Sequence, residues 1–454
     1  MQDLTTGSIT GHLFKTMSFM LVGMVFQTLY VLVDLYWVSH LGTEAVAAVG
    51  LSTNLMFIVL AITQMLGVGT TTLVSHAVGR KDREQALLVF NQAQVLSVVI
   101  GTLFFCVAMI LRPAYARNLS ADPATSKLTA DYLGWFIPAM AFQFGMVAMG
   151  SALRGTGQFK PSMVIQTTTV VLNIILAPFL IFGWGTGVPL GVAGAALATF
   201  IAIVVGTVAL AFYFRPATAY LRFMPADWKP SLPLWGRMLK IGLPAGTEFA
   251  LMAAYLMLIY AISRPFGAAA QAGFGIGLRI VQALFLPIVA LGFAVGPVAG
   301  QNFGARQGAR VRDTFRSAVA MATSAMVAAA LLLQIAPEAT VRFFSTDRQV
   351  IATGADYLRI ISWNFIASGI IFVSSSMFQA MGNTLPSLVT SFTRLVIVAI
   401  PLLLLSRLPG FELRWVWYLS VISVLIQMCL NLMLLRREFR LRLNFEPAAQ
   451  PAGT

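Results

Sequence analysis

Charge is what this sequence has least of. Asp, Glu, Lys and Arg make up 10% of its 454 residues, against 58% hydrophobic residues, whereas soluble domains carry about 25% charged residues. A chain so poor in charge cannot clothe a water-facing surface, which excludes a soluble globular domain. Cysteine and histidine are almost as scarce, at two and three residues. Cys106 and Cys429 lie in separate apolar stretches with no shared spacing, which excludes a disulfide framework; both are expected as buried thiols packed like small hydrophobes. His12, His40 and His76 are scattered at the ends of apolar stretches, so no metal site is expected. Ser/His/Asp and nucleotide-hydrolysing motifs are also missing. Gly273-x-Gly275-x-Gly277 belongs to a glycine-rich helix with no strand before it. Neither an enzyme nor a cofactor is expected, and transport work would have to be driven by an ion gradient.

What the sequence does have is a succession of apolar stretches of about 20 residues, the length that crosses a hydrocarbon core. Helices are expected near 16–38, 45–72, 87–111, 129–151, 162–183, 190–214, 239–262, 270–299, 315–336, 355–380, 386–406 and 414–435. The fold class is an all-α membrane protein with 12 transmembrane helices. The net charge of +14 is a topology signal, and nucleic acid is not an expected partner. With both termini in the cytoplasm, Arg80, Lys81 and Arg83, then Arg306, Arg310, Arg312 and Arg316, and the run Arg436, Arg437, Arg440 and Arg442 all fall on the cytoplasmic side. The opposite side keeps fewer, among them Arg112, Arg117, Lys127, Arg264 and Arg342, as the positive-inside rule requires. The first 15 residues show no cleavable leader, so the first helix is expected as a retained signal anchor.

The chain repeats itself. Adding 225 to first-half positions brings Gly42, Ala45, Ala47 and Gly50 onto Gly267, Ala270, Ala272 and Gly275. The same offset brings Asp131-Tyr132-Leu133 onto Asp356-Tyr357-Leu358, and Gly157, Pro161 and Ser162 onto Gly382, Pro386 and Ser387. Glycine and alanine matches are cheap in such a composition; these last two sets are not. Each half should therefore carry six helices in the same orientation, the parallel-repeat plan of many secondary transporters. The expected organisation is an N-lobe over 1–214, a proline-rich cytoplasmic linker over 215–238, a C-lobe over 239–440 and a polar tail over 441–454.

An ionisable side chain at membrane depth costs roughly 2.5–3.5 kcal/mol or more, so it is a candidate for function. Asp34 leads. It shares a helical face with Gln27, Tyr30 and Trp37, as the wall of a wet cavity would; the alternative is an interfacial aspartate. Asn173, with Gln166 and Thr169 before it, gives the fifth helix a similar stripe, serving either as a site or as interhelical glue. Glu248, in the seventh helix, is either a second titratable site or a carboxylate stabilised near a helix N-terminus. Arg279 and Arg394 are expected to pair with helix-end carbonyls or a carboxylate.

Several motifs resemble those of the multidrug and toxic compound extrusion (MATE) transporters, prokaryotic and of the DinF-like branch. They are Val33-Asp34-Leu35-Tyr36-Trp37-Val38-Ser39-His40-Leu41-Gly42, Arg154-Gly155-Thr156-Gly157, Gly191-Val192-Ala193-Gly194-Ala195, Gly300-Gln301-Asn302-Phe303-Gly304 and Phe378-Gln379-Ala380-Met381-Gly382. The resemblance runs from about residue 10 to 440. It implies a V-shaped pair of six-helix bundles in the bacterial inner membrane, a monomer, with organic cations or amphiphilic drugs exported against H⁺ or Na⁺. It also implies a coupling centre at Asp34, Asn173 and Thr199. The family's fifth-helix pattern ends in a second aspartate, where this chain has Ala177. Losing an anionic ligand weakens a Na⁺ site more than a proton site, which favours H⁺. A seventh-helix carboxylate in another branch resembles Glu248, about one turn displaced. The alternative within the wider superfamily is a flippase for lipid-linked oligosaccharide or peptidoglycan precursors, which would need deep basic residues.

These readings combine into one expectation. Desolvation disfavours the ionised carboxyl, so Asp34 should exchange protons near neutral pH. Ionised it attracts a cationic drug, and protonated it releases it.

Overall fold

The computed structural model describes residues 2–120, 122–185, 187–216 and 219–445, apart from one side chain at position 53. The described chain is helical, without strands. The first half runs through α1 (Ile9–Ser39), α2 (Thr43–Gly79), α3 (Arg83–Leu119), α4 (Pro123–Gly155), α5 (Lys160–Phe182) and α6 (Val192–Tyr213). The second runs through α7 (Leu232–Ser263), α8 (Ala268–Gly304), α9 (Gly308–Ile335), a short α10 (Pro337–Arg342), α11 (Arg348–Ile361), α12 (Phe365–Ala380), α13 (Leu385–Leu405) and α14 (Leu413–Arg442). Together they make 12 spans long and apolar enough to cross a membrane, which is the expected number. The span expected as one helix over 355–380 is instead two, α11 and α12, joined by a 3-10 turn at Ser362–Asn364. The helix over the linker's end starts early as well, because α7 begins at Leu232.

The repeat is written into the helix ends. Both ends of α2 and α8 differ by 225, as do the start of α4 and the end of that span at Gly155 and Ala380. Asp122 caps α4 by accepting from Thr125 N at 2.8 Å, and Asp347 caps α11 by accepting from Gln349 N at 2.7 Å. The Thr125 amide and hydroxyl hold the Asp122 carboxyl below its ordinary range. Both copies then end in a left-handed glycine, Gly157 at φ 77° and Gly382 at φ 74°, where a Cβ would be strained. Gly157 N donates to Arg154 O and Gly382 N to Gln379 O, each at 2.9 Å. The offset then shortens: α6 begins at Val192 and α14 at Leu413, a difference of 221.

By packing, the chain forms two compact units. The first comprises Met1–Gln2, Lys15–Ser75 and Asp82–Ala253, the second Asp3–Phe14, His76–Lys81 and Ala254–Thr454. In the first, α4 packs on α3 and α6, and α5 packs on α6. Glycines let α2 and the N-terminal half of α7 touch backbone to backbone: a Cβ on Gly242 would lie 1.9 Å from Met65 O, and one on Gly246 2.6 Å from Ala61 O. The linker is held to α3 by two fully buried amides. Asn91 accepts from Met224 N at 2.9 Å and Trp228 Nε1 at 3.1 Å, while Gln92 accepts from Ser231 N at 2.9 Å.

In the second unit α8 packs on α9, α11 and α12, and α13 packs on α14. There the Gly-Gln-Asn motif acts as a tether. Gln301 Oε1 accepts from Leu4 N at 2.9 Å, Asn302 Nδ2 donates to Leu4 O at 3.1 Å, and Arg310 donates to Asn302 Oδ1 at 2.9 Å. Cys106 and Cys429 are exposed, contrary to expectation. In an apolar span an exposed position faces hydrocarbon, so a small apolar thiol needs no burial there.

Candidate functional site

The site is built from the C-terminal half of α1. Tyr30, Asp34 and Trp37 recur at helical spacing on one face, and Asp34 is 8% exposed. Its Oδ1 is buried with no hydrogen-bond partner among the described residues. A carboxyl oxygen left bare at this depth costs free energy in any purely structural role.

Beside it lies a closed set of hydrogen bonds. Thr199 of α6 donates its hydroxyl to Ala195 O at 3.2 Å, one turn back. Having one proton, it then accepts from Asn173 Nδ2 of α5 at 3.0 Å. The Tyr30 hydroxyl lies 3.0 Å from the same Thr199 Oγ1. Asn173 and Thr199 are 3% and 5% exposed. Three helices are thus joined at one hydroxyl, with the Asp34 carboxyl one turn along α1 from Tyr30. Tyr132 of α4, itself 4% exposed, lies within electrostatic reach of both Asp34 and Tyr30. In the sequence Tyr132 stands out only as part of the repeated Asp-Tyr-Leu. The signal for its role was present: a tyrosine inside an apolar helix needs a polar neighbour for its hydroxyl.

The remaining predicted residues divide. Trp37 belongs to an aromatic group at the end of α1, with ring centroids 6.1 Å from Phe182 and 5.9 Å from Trp184. Gln27 and Gln166 are exposed, Gln166 lying against Gly23 of α1. Thr169 is buried, donates its hydroxyl back to Gln166 O at 2.7 Å, turns its methyl toward Gly206 and takes no part in the Tyr30–Thr199–Asn173 hydrogen bonds. Glu248 is half-buried on α7, two residues past Gly246, and takes no part in the Tyr30–Thr199–Asn173 hydrogen bonds. Ala177, one turn past Asn173, is 1% exposed and leaves Asp34 the sole carboxylate of this group. Arg279 is exposed. Arg394 lies with its guanidinium carbon 4.8 Å from the Tyr255 ring centroid. Neither forms an ion pair with a carboxylate among the described residues, which removes the second of the two pairings expected for them.

The arrangement suits exchange between a proton and a cation. One buried carboxyl can carry either, and the neighbouring amide and hydroxyls fix the helices around it.

Comparisons with known proteins place relatives along both halves of the chain. The sequence profile of the family described as MatE matches residues 20–179 and, a second time, residues 244–405. A protein named Multidrug export protein MepA, from Staphylococcus haemolyticus (strain JCSC1435), is 26% identical over 392 residues, 86% of either chain. One named FAD transporter, from Shewanella oneidensis, is 26% identical over 384 residues, 84% of either chain. The solved outward-facing conformation of a multidrug resistance MATE family transporter of the MOP superfamily superposes with a TM-score of 0.89. It is 24% identical and 98% of each chain is covered. A crystal structure of MATE in the bent conformation gives 0.90 at 24% identity, covering 96% of this chain and 97% of that one.

Proposed function

We infer the function from one premise: this chain belongs to the MatE family, whose profile covers both of its halves. We propose that it is a secondary active antiporter of the bacterial cytoplasmic membrane, with both termini inside. In this reading it exports organic cations and other amphiphilic molecules by alternating access, in exchange for protons, and Asp34 is the exchanging carboxyl. The observation that carries the reading is the buried, unpartnered Asp34 Oδ1 beside a satisfied set of polar groups.

A carboxyl without a counter-ion at this depth retains a proton until a cation takes its place. When the site faces inward, an organic cation displaces the proton and is held by the carboxylate. When it faces outward, a returning proton neutralises the carboxylate, and the attraction that held the cation is gone. The two fluxes are coupled because they compete for one group. Thr199, Asn173 and Tyr30 keep α1, α5 and α6 in register around it. With alanine at 177, a Na⁺ ion would find one anionic ligand fewer than the family's fifth-helix pattern offers, which weakens a Na⁺ site more than a proton site. Relatives of equal similarity are named for multidrug export and for FAD transport, so the cargo class is proposed here from the site.

Proteoliposomes carrying the purified protein test the reading. Ethidium efflux should follow an imposed pH gradient and should not follow a Na⁺ gradient imposed at equal pH. The reverse result would overturn proton coupling.

A further inference from the structure

The second half keeps the frame of the Asp34 site and reverses its charge. At the offset of 225, Tyr30 meets Tyr255 and Tyr132 meets Tyr357; with the shortened offset of 221, Thr199 meets Ser420. The hydrogen bond is kept as well: Tyr255 Oη lies 2.8 Å from Ser420 Oγ. The carboxyl is not kept. Asp34 and Asn173 meet Ile259 and Val398, which are 1% and 0% exposed. In exchange, the position of Thr169 holds Arg394.

Arg394 stands near the middle of α13, where a guanidinium is costly. It stacks over the Tyr255 ring at 4.8 Å, and Tyr357 lies within its electrostatic reach. Ring stacking satisfies the face of the cation but none of its five in-plane N–H donors. Its Nε is buried without an acceptor among the described residues. The carboxylate next to Tyr357 in sequence, Asp356, is already committed to Arg414 at 2.6 Å. Arg394 and Tyr255 are both only half-buried, so a bound molecule can reach them. A planar fork of donors without an acceptor is the complement of a carboxylate.

We propose that Arg394, stacked over the Tyr255 ring that the buried Ser420 hydroxyl holds in place, binds the carboxylate of an amphiphilic cargo. The word cargo rests on the transport reading above; the binding itself does not.

Three fluorescent or coloured probes bound to the full chain in lipid nanodiscs separate the charges: norfloxacin (an ammonium and a carboxylate), its methyl ester (the carboxylate masked) and ethidium. The wild type should bind norfloxacin about tenfold or more tightly than the ester. Arg394→Gln should remove that preference by weakening norfloxacin alone, and Arg394→Lys should keep much of it. Equal affinity of the wild type for norfloxacin and its ester would overturn the proposal, even if the glutamine variant did not fold. So would a loss in Arg394→Gln shared by all three probes. If the preference holds while efflux ignores the pH gradient, the Asp34 mechanism has failed and this site has not.

Discussion

Two hydrogen bonds, one in each half, carry the comparison that explains this molecule. In the first half the Tyr30 hydroxyl is hydrogen-bonded to a threonine on α6, and an aspartate follows one turn along α1. In the second, Tyr255 meets a serine on α14, and one turn along α7 stands Ile259. The helix ends of α2 and α8, the capping aspartates and the left-handed glycines Gly157 and Gly382 are shared. The buried charge is not shared. Duplication preserved what positions helices, because every copy has to satisfy the same backbone groups in a medium without water. A charge at membrane depth has no such structural obligation, so it could be lost from one copy or replaced by its opposite.

The sharpest way to break this comparison is to remove the first-half charge. Asp34→Asn should reduce pH-driven ethidium efflux from proteoliposomes by about a hundredfold or more, the scale on which proton-transfer groups act. The second-half Ile259→Val should leave it near the wild-type rate. Equal losses from the two changes would mean that the halves share the coupling chemistry after all.

Ala177→Asp tests why the ion is a proton. It restores a second carboxylate one turn from Asn173, and efflux should then also respond to a Na⁺ gradient at equal pH. A well-folded variant that stays blind to Na⁺ would show that ligand count at 177 does not set the ion.

Smaller effects concern the frame. Thr199→Val strands the Asn173 amide and the Tyr30 hydroxyl, at about 1–3 kcal/mol, and should slow pH-driven efflux while pH dependence is retained. Ser420→Ala should be milder for ethidium, because no cation-binding carboxyl depends on it. Smallest of all, Gly157→Ala and Gly382→Ala should each lower thermal stability by about 1–2 kcal/mol, and by the same amount. Clearly unequal shifts in melting temperature would count against a shared frame.

How much of this could be read from the sequence follows the same division. The spans and their duplication were legible because length and apolarity are what a bilayer demands, and Asp131-Tyr132-Leu133 recurs at a fixed offset. Asp34 was legible as an expensive residue and Asn173 as part of a polar stripe, whereas Thr199 was legible only as a family match. Their joining at one hydroxyl was not, since it requires the crossing of α1, α5 and α6. The fall of the offset to 221 hid the match between Thr199 and Ser420, because a helix and a following loop that are each two residues shorter leave no trace in helical periodicity. The exposure of Cys106 and Cys429 was illegible for a more general reason. Lipid is as apolar as a helix interface, so the period that separates inside from outside in water disappears. Arg394 was visible as a cost, but its unmet donors could only be counted once the neighbouring helices were in place.

Proton release on cargo binding tests the central claim most directly. Ethidium added to the purified protein in a weakly buffered solution near neutral pH should release one proton for each molecule bound. The release should vanish in Asp34→Asn and persist in Arg394→Gln. Binding without proton release in the wild type, or release that survives in Asp34→Asn, would contradict competition for a single carboxyl in the first half.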